Sequence, residues 1–463
     1  MIPPIEHPLP RRVVVRPGPL EGTVSVPGDK SIGHRALIIG ALADGPCDLV
    51  GVPSGEDVLA TADAVRAMGG LVHLEPGDHG LDGHVSGPLQ PPSEPIDCGN
   101  SGTGLRLLAG VAAGMAGATT LTGDESLRAR PMGRISRPLR ELGARVDGPD
   151  DGTRAPLTVH GVIRDGGVLH SEVASAQVKS ALLLAAVRAG VGITVTAPLP
   201  SRDHTERMLR DMGLPVTHGE PGDDAPASST TPGSGDPSVG ERVVMEPGAT
   251  PRATTLIVPG DPSSATFWWA AAAVGSRSIT TPGVCMNPGR TGALQVLEEL
   301  GASIVVSEHT PAGSEEVADV TVEAGTGLPG GATMRGRAVV DAIDEIPVLA
   351  IVAALSDGGL EVADAAELRA KESDRIASLA RLFAALGMQF DARPDGFRVP
   401  GGQQPRGGTF DAGLDHRLAM TAAIAATVAS EPVTIAGFAS TASSYPGFRD
   451  DFVQLGGRLE PEQ

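Results

Sequence analysis

One hydrophobic pattern occurs six times along the chain. An amphipathic helical stretch ends in Leu or Met, a glycine follows, and a β-prone segment begins. The six glycines are Gly69, Gly143, Gly213, Gly301, Gly387 and Gly456. Glycine readily adopts the left-handed backbone that ends a helix, and alternating apolar and polar residues after it predict a half-buried strand. Each glycine therefore marks the end of a helix and the start of a strand.

The repeat is 69 to 88 residues long, which exceeds the roughly 20 to 50 residues of a solenoid repeat. We therefore predict six small α+β lobes. A VPGD segment occurs at residues 26–29 and again at 258–261, each time after a strand-like segment and before a helix. These two places are candidate crossovers, so we expect two similar three-lobed halves, residues 1–27 with 258–463 and residues 28–257. A run rich in Gly, Pro and Ser predicts a flexible surface loop at residues 219–241.

Composition narrows the class of partner. The chain of 463 residues has 36 Lys and Arg against 56 Asp and Glu, a net charge of −20, which disfavours nucleic acid and anionic membranes. Its three cysteines lie far apart and suggest neither a disulfide framework nor a zinc cluster. No apolar run reaches the roughly 18 residues of a transmembrane helix, and the first residues do not read as a targeting peptide. We expect a cytoplasmic monomer without metal or cofactor.

Several cations stand where a turn becomes a helix. Lys30 and Ser31 open an apolar helix, and Arg35 follows one turn later. The free N–H groups and the dipole of a helix N-terminus favour an anion. The alternative is that Ser31 caps the helix and the cations are merely solvated.

A glycine-rich turn, DCGNSGTGLR, opens a second apolar helix with Gly99, Ser101, Gly102, Thr103 and Gly104. Such a turn lets backbone amides approach a ligand oxygen closely. It matches neither the Walker loop nor GxGxxG, so a purely structural turn is the alternative.

Acidic residues stand at two further helix starts. Asp344 and Glu345 precede Pro347 and an apolar helix, where the alternative role is a helix cap. In the segment ELRAKESDRIASLARLF, helical periodicity places Lys371 and Arg375 on one face and Glu372 about 100° away. A solvated helix start is the alternative for these charges.

Basic residues at such junctions also include Arg130, Arg202, His416 and Arg417. One such junction would mean little. Seven in an acidic protein indicate that scarce cations are gathered for a small polyanionic ligand.

The chain resembles the 5-enolpyruvylshikimate-3-phosphate synthases (3-phosphoshikimate 1-carboxyvinyltransferases) over nearly its full length. The motifs that carry the resemblance stand in family order: GDKSIGHR, GNSGTGLR, RPMGR, SAQVKSALLLA, SRDHTERML, MNPGRTG, IDEIP, KESDR and LDHR. The resemblance implies an α/β (α+β) fold of two similar domains, each with three βαβαββ-type lobes in an inside-out barrel, and ligands in the cleft between them. The implied reaction transfers the enolpyruvyl group of phosphoenolpyruvate to the 5-hydroxyl of shikimate 3-phosphate and releases phosphate.

The resemblance also assigns site residues. Implied contacts of shikimate 3-phosphate are Lys30, Ser31, Arg35, Ser175, Ala176, Gln177, Arg202, Asp344 and Lys371. Implied contacts of phosphoenolpyruvate are Lys30, Gly102, Arg130, Gln177, Arg375 and Arg417. Asp344 is the implied base for the 5-hydroxyl, Glu372 the implied acid for the enol methylene, and Lys30 a third catalytic residue.

These residue types suit the implied chemistry. The two substrates bring together two phosphates and two carboxylates, and like charges about 4 Å apart repel by roughly 4 kcal/mol at an effective dielectric near 20. An acid and a base on opposite sides of the reacting bond can serve both addition and elimination. Glu372 must be protonated to act as the acid, which a closed, desolvated site could favour.

Two departures from the family pattern limit what is carried over. Ser443 stands where many members have a lysine that contacts phosphoenolpyruvate. Gly102 stands where glyphosate-tolerant members have alanine, so we expect inhibition by glyphosate.

Two rival functions share the predicted fold. The sister enzyme that acts on UDP-N-acetylglucosamine opens with Lys-Asn where this chain has Lys30-Ser31, and Cys98 and Cys285 do not match the context of its loop cysteine. A non-catalytic scaffold would lack the acid or the base, and both are present.

Overall fold

The computed structural model describes residues 9–219, 240–325 and 327–462. The chain divides into two compact units. We call Lys30–Val258 the inserted unit, and Met1–Asp29 together with Pro259–Gln463 the discontinuous unit. The sequence predicted divisions after residues 27 and 257. Strands and helices are numbered along the whole chain.

The inserted unit contains three four-stranded sheets, in the orders β14-β3-β5-β4, β6-β7-β9-β8 and β10-β11-β13-β12. Their strands are β3 (Cys47–Val52), β4 (Leu71–Gly77), β5 (Gly80–Ser86), β6 (Ile96–Asp97), β7 (Gly117–Thr122), β8 (Arg145–Asp147), β9 (Leu157–Gly161), β10 (Val168–His170), β11 (Ile193–Ala197), β12 (Val216–Gly219), β13 (Glu241–Met245) and β14 (Thr255–Ile257).

The discontinuous unit has three sheets of the same kind, in the orders β23-β24-β1-β25, β2-β15-β18-β16 and β19-β20-β22-β21, with β17 added beside β18. Their strands are β1 (Arg12–Arg16), β2 (Gly22–Thr23), β15 (Ile279–Cys285), β16 (Ile304–Val306), β17 (Thr310–Ala312), β18 (Glu315–Val322), β19 (Gly331–Met334), β20 (Gly359–Val362), β21 (Asp391–Arg393), β22 (Gly396–Val399), β23 (Gly408–Asp411), β24 (Val433–Ala436) and β25 (Arg458–Pro461).

All six sheets follow one rule. The first pair of strands in each order is parallel and the other two pairs are antiparallel. Parallel strands need a crossover, which a helix can supply, whereas antiparallel strands can be joined by a short turn, as β4 and β5 are. The result is a βαβαββ lobe repeated three times in each unit. The predicted fold class is confirmed.

Three lobes are completed by strands distant in sequence. In one of them β1 pairs with β24 and β25. β14, the last strand of the inserted unit, pairs in parallel with β3 near its start. In the discontinuous unit β2 pairs in parallel with β15, although the whole inserted unit separates them along the chain. The two passages of the chain between units therefore follow β2 and β14.

The helices of the inserted unit are α1 (Lys30–Gly40), α2 (Glu56–Ala67), α3 (Gly102–Ala113), α4 (Glu125–Ala129), α5 (Gly133–Glu141), a short helical turn α6 (Pro149–Gly152), α7 (Ala176–Ala189) and α8 (His204–Asp211). Those of the discontinuous unit are α9 (Pro262–Gly275), α10 (Gly292–Leu300), α11 (Arg337–Ala342), α12 (Ile346–Leu355), α13 (Arg375–Ala385), α14 (His416–Thr427) and α15 (Phe448–Gln454), with 3-10 helices at Ala366–Ala370 and Phe438–Ser443.

One helix of each lobe is buried on almost every face. In the inserted unit α3 packs between α1 and α7, and in the discontinuous unit α9, α12 and α14 pack against one another. A helix that is apolar all round belongs in a core, as the buried run of α12 illustrates. The strands alternate fully buried and more accessible residues, for example in β1 and β13, so each sheet turns one face towards these helices.

The second helix of each lobe is amphipathic and ends at a glycine of the repeat found in the sequence. Gly69, Gly143, Gly213, Gly301, Gly387 and Gly456 all have φ between 71° and 103°. The predicted left-handed helix ends are therefore confirmed at all six positions.

Two further predictions concern loops and membranes. Residues 220–239 of the predicted loop lie outside the described residues, and the ends of the prediction are wrong, because Gly219 and Glu241 belong to the paired strands β12 and β13. Among the helices described, none is long and apolar enough to cross a membrane.

Candidate active site

Most of the predicted site residues lie on or directly before the N-terminal ends of the central helices. In the inserted unit these are α1, α3 and α7, and in the discontinuous unit α12 and α14. The repeat explains the arrangement, because the βα turn of each lobe brings the chain to the start of its buried helix.

Lys30 is the first residue of α1 and Ser31 the second, so Ser31 does not precede the helix as the alternative of a cap requires. The Lys30 ammonium forms an ion pair with Asp57 of α2, and both side chains are largely buried. Asp57 therefore directs the ammonium of Lys30. The sequence reasoning missed Asp57, whose position in the first turn of a helix is also typical of a dipole contact.

Arg35 is buried and holds three helices together. Its Nε donates to Thr205 Oγ1 at 2.7 Å, and its Nη2 donates to Ser180 Oγ at 2.8 Å. Its Nη1 donates to the backbone carbonyl of Ser31 at 2.8 Å. The guanidinium thereby fixes the first turn of α1 against α7 and α8.

The glycine-rich turn before α3 is capped by Ser101, whose hydroxyl accepts from the backbone N–H of Gly104 at 3.0 Å. Gly102 is the first residue of the helix. A Cβ at this position would lie 2.9 Å from Arg106 Nη1 and 3.2 Å from Arg130 Nη1. A side chain at this position would therefore displace one or both of these guanidinium groups.

Arg106 joins the glycine-rich turn to the SAQ segment. Its Nη1 donates to Gln177 Oε1 at 2.7 Å, and Gln177 Nε2 donates to Thr103 Oγ1 at 2.9 Å. Because arginine only donates, the carboxamide of Gln177 has one orientation here. Arg106 was missed as a candidate, although it closes the GNSGTGLR motif one turn after Gly102.

Three more predicted residues complete the inserted unit. Ser175 is the N-cap residue of α7 and Ala176 its first residue. Arg130 is buried at the end of α4, where its Nη2 donates to Asn100 and Ser126. Arg202 lies in the turn before α8 and is half-buried. The structure brings Lys30, Ser31, Arg35, Gly102, Arg130, Ser175, Ala176, Gln177 and Arg202 to the beginnings of helices or the turns beside them.

In the discontinuous unit, Arg375 is surrounded by carboxylates. It lies 2.5 Å from Glu372 Oε2, 3.1 Å from Asp415 Oδ2 and 3.2 Å from Asp344 Oδ1. Burial alone would lower the pKa of Arg375, and the three carboxylates raise it further than burial lowers it, so the net direction is upward. This cation is permanent and gathers the candidate acid and the candidate base.

Lys371 Nζ donates to Asp344 Oδ1 at 3.2 Å. Asp344 therefore pairs with two cations, Lys371 and Arg375. The helical reading of Lys371, Glu372 and Arg375 is wrong. A 3-10 helix ends at Ala370, Lys371 is extended, and α13 begins at Arg375 behind an Asp374 cap that accepts from the N–H of Ala377. Asp374 caps a new helix at this point, and this cap is favoured over a continuous helix through Lys371 and Arg375.

The alternative reading of Asp344 and Glu345 as helix caps is also wrong. Glu345 occupies the N-cap position of α12 without a side-chain cap bond, and its carboxylate accepts instead from Ser263. Asp344 is occupied by Lys371 and Arg375. Both acidic side chains therefore serve tertiary contacts.

A buried arginine next to this cluster was not singled out from the sequence. Arg290 forms ion pairs with Asp29 and Asp261 and lies 3.0 Å from Ser263 Oγ. Burial raises the pKa of Asp261, and the nearby Asp29 raises it further. Only its position in the MNPGRTG motif could have drawn attention to Arg290.

Arg417, the second residue of α14, is anchored by Asp415. Asp415 Oδ1 accepts from the backbone N–H of Arg417 at 3.1 Å and caps the helix. The departure Ser443 ends a 3-10 helix, where its hydroxyl donates to the carbonyl of Ser440 at 2.9 Å. Among the residues described, no group of three or more His, Cys, Asp or Glu side chains is placed to hold a metal ion.

The family model described as EPSP synthase (3-phosphoshikimate 1-carboxyvinyltransferase) matches residues 14–452. The chain belongs to the EPSP synthase family. The resemblance inferred from nine short motifs is thereby confirmed. The roles of the individual site residues stay predictions.

Relatives and solved structures agree with this membership. The 3-phosphoshikimate 1-carboxyvinyltransferase of Herpetosiphon aurantiacus is 44% identical over 447 residues, which cover 94% of this chain and 97% of the relative. The enzyme of the same name from Chloroflexus aurantiacus is 45% identical over 439 residues, with 93% and 96% covered. The structure of EPSP synthase from Acinetobacter baumannii aligns with a TM-score of 0.80 at 35% identity and covers 98% of this chain and 100% of that chain.

Proposed function

We propose that the enzyme transfers the enolpyruvyl group of phosphoenolpyruvate to the 5-hydroxyl of shikimate 3-phosphate and releases phosphate, a step of aromatic amino acid biosynthesis. The observation that carries the proposal is the arrangement around Arg375, which binds Asp344 and Glu372 at once. A carboxylate base and a carboxylic acid are the two groups that addition and elimination of a proton require.

Asp344 is the proposed base. Lys371 and Arg375 both lie 3.2 Å from its Oδ1, and two cations favour the charged carboxylate. A charged Asp344 can accept the proton of the 5-hydroxyl, while Lys371, at the same oxygen, is placed to contact the hydroxyl as well. Base and cation thus serve one end of the reaction.

Glu372 is the proposed acid for the enol methylene. Its ion pair with Arg375 favours the charged form, whereas an acid must carry a proton. Arg375 is also a proposed contact of phosphoenolpyruvate. When an anionic group of the substrate takes this guanidinium, Glu372 loses its cation and gains a negative neighbour, and both changes favour its protonation.

The remaining proposed contacts divide by substrate. Shikimate 3-phosphate is bound by Lys30, Ser31, Arg35, Ser175, Ala176, Gln177, Arg202, Asp344 and Lys371, and phosphoenolpyruvate by Lys30, Gly102, Arg130, Gln177, Arg375 and Arg417. Support comes from the helix N-termini in this set, which present free N–H groups to anions. Arg35, whose three donor groups bind Thr205, Ser180 and Ser31, acts on the ligand through the first turn of α1 as well.

The second candidate function is the sister reaction on UDP-N-acetylglucosamine. The enzyme of that reaction typically uses a loop cysteine, and neither Cys98 nor Cys285 is a counterpart of it. Cys98 and Cys285 are buried. Burial raises the pKa of Cys98 to about 12 and that of Cys285 well above its usual value. Neither thiol is therefore suited to reaction near neutral pH.

The test is phosphate release with phosphoenolpyruvate and either shikimate 3-phosphate or UDP-N-acetylglucosamine as acceptor. Phosphate release when shikimate 3-phosphate, but not the sugar nucleotide, is the acceptor supports the proposal. Release only with the sugar nucleotide as acceptor overturns it. We also propose that the enzyme works as a monomer in the cytoplasm. A mass in solution of twice 46.9 kDa would contradict the monomer.

A further inference from the structure

A buried ionic cluster lies in the inserted unit and contains none of the proposed site residues. Lys179 Nζ, on α7, lies 2.5 Å from Glu241 Oε1 of β13 and 2.6 Å from Glu206 Oε1 of α8. The three side chains are 3%, 6% and 0% exposed. One ammonium thus faces two carboxylates away from water.

Stability alone does not call for such a cluster. Burying charges costs free energy, and well-packed apolar residues of similar volume commonly do as well or better. Burial also raises the pKa of Glu241 against the opposing influence of Lys179. A different reason for the cluster is therefore needed, and its other contacts supply one.

The cluster forms hydrogen bonds with three atoms of Ser201. Glu241 Oε2 accepts from Ser201 Oγ at 3.1 Å and from the Ser201 backbone N–H at 3.3 Å. Lys179 Nζ donates to the Ser201 carbonyl at 3.2 Å. Ser201 is the residue directly before Arg202, in a turn with no strand or helix of its own. The pair therefore fixes the backbone from which Arg202 projects.

The other side of the same turn is held as well. Thr205 Oγ1, in the first turn of α8, accepts from Arg35 Nε and donates to Ser180 Oγ at 2.7 Å. Ser180 follows Lys179 on α7, the helix that begins with Ala176 and Gln177. Neighbouring residues of α7 thus fix the backbone on both sides of Arg202.

We propose that Lys179 and Glu241 are positioning residues for shikimate 3-phosphate, which hold Ser201 so that Arg202 points its guanidinium at the ligand. The inference rests on the proposed role of Arg202. It assigns these two residues an effect on shikimate 3-phosphate, because Arg202 is a proposed contact of that substrate and not of phosphoenolpyruvate.

Glu241→Gln tests the proposal. Glutamine keeps the size of the side chain but has one acceptor oxygen, so it cannot bind Lys179 and both donors of Ser201 as the carboxylate does. We expect the KM for shikimate 3-phosphate, and its Kd measured by calorimetry without phosphoenolpyruvate, to rise about tenfold. The KM for phosphoenolpyruvate and kcat should change less than about twofold. Glu241→Asp, which keeps the charge on a shorter side chain, should give a smaller rise and serves if the glutamine variant does not fold.

Val243→Ala is the matched control. Val243 lies two residues further along β13 and is fully buried, so the change destabilises the same strand without touching Ser201. It should lower the melting temperature and leave both KM values unchanged. An equal rise in the KM for shikimate 3-phosphate in both variants, or none in Glu241→Gln, would overturn the proposal.

Arg202→Ala separates this inference from the proposed site. If Arg202→Ala leaves the KM for shikimate 3-phosphate unchanged, the proposed role of Arg202 fails and the inference fails with it. If Arg202→Ala raises that KM and Glu241→Gln does not, only the inference fails. If Glu241 acts through Arg202, the double variant should bind shikimate 3-phosphate no more weakly than Arg202→Ala alone, whereas additive losses contradict the coupling.

Discussion

Asp415 uses its two oxygens on different partners: Oδ2 accepts from Arg375 Nε at 3.1 Å, and Oδ1 accepts from the backbone N–H of Arg417 at 3.1 Å. Two proposed contacts of phosphoenolpyruvate are therefore anchored by one fully buried carboxylate. The two arginines belong to different helices, because Arg375 begins α13 and Arg417 lies in α14. The aspartate couples them.

We expect Asp415→Asn to weaken both the fold and the binding of phosphoenolpyruvate. The amide removes a charge from beside a buried guanidinium, and losing one partner of a buried ion pair costs about 3 kcal/mol. Urea unfolding should report that loss, and the KM for phosphoenolpyruvate should rise. Asp411→Asn, an exposed carboxylate in the same lobe, should change the stability by less than about 0.5 kcal/mol. Unaltered stability in Asp415→Asn would contradict the anchoring role.

Glu372→Gln should lower kcat by about 10² to 10⁴-fold, because an amide cannot deliver the proton that the enol methylene needs. The glutamine can still accept a hydrogen bond from Arg375, so the fold and the affinity for shikimate 3-phosphate should be kept. Glu361→Gln is the control, since Glu361 also pairs with arginines, Arg335 and Arg393, in the same lobe, and its side chain is 33% exposed. Single-turnover phosphate release measures the step directly. Full turnover in Glu372→Gln would refute the acid role.

Glyphosate sensitivity depends on the space beside Gly102. A methyl group there would lie 3.2 Å from Arg130 Nη1 and 2.9 Å from Arg106 Nη1, closer than an ordinary contact. We expect the enzyme to be inhibited by glyphosate, and Gly102→Ala to raise the inhibition constant about tenfold or more while raising the KM for phosphoenolpyruvate less.

The control for that change is Gly167→Ala, because a Cβ at Gly167 has no heavy atom within 4 Å. Inhibition constants measured against phosphoenolpyruvate compare the two variants with the unmodified enzyme. An inhibition constant for glyphosate that stays the same in Gly102→Ala would contradict the steric explanation.

The features of this structure that could be predicted from the sequence are those determined by residues close together along the chain. The six lobes follow from a local signal, a helix end at a glycine and a strand after it, and the start of α1 at Lys30 follows from a few neighbouring residues. Partners distant in sequence were missed. Arg106 and Gln177 are 71 residues apart, and Lys179 and Glu241 are 62 apart, and no periodicity reports such a pairing.

One local prediction and one local alternative failed for a related reason. Helical spacing joined Lys371 to Arg375, but the Asp374 cap starts a new helix between them. Asp344 and Glu345 have the composition of caps and serve tertiary ion pairs and hydrogen bonds instead. In both places short polar side chains offer alternatives to the regular backbone, and only the surrounding fold decides between them.

The last prediction concerns pH and a half-buried carboxyl outside the site, that of Asp451. Burial raises the pKa of Asp451, although the Tyr445 hydroxyl, which donates to it at 2.7 Å, acts in the opposite direction. A raised pKa means that the folded state holds the proton more tightly than the unfolded state, whose carboxyl titrates near 3.8. The resulting stabilisation is complete below that value and is lost as the pH rises through the folded pKa.

Asp451→Asn removes this titration, so the stability of the unmodified enzyme relative to the variant should fall as the pH rises above about 4 towards 7. Urea unfolding of both proteins at several pH values gives the difference. Asp391→Asn, at an exposed site on β21, is measured alongside as the control for the loss of a surface carboxylate. A relative stability of the unmodified enzyme that rises with pH would mean that the hydrogen bond from Tyr445 outweighs burial, because a donor to the carboxylate favours its charged form.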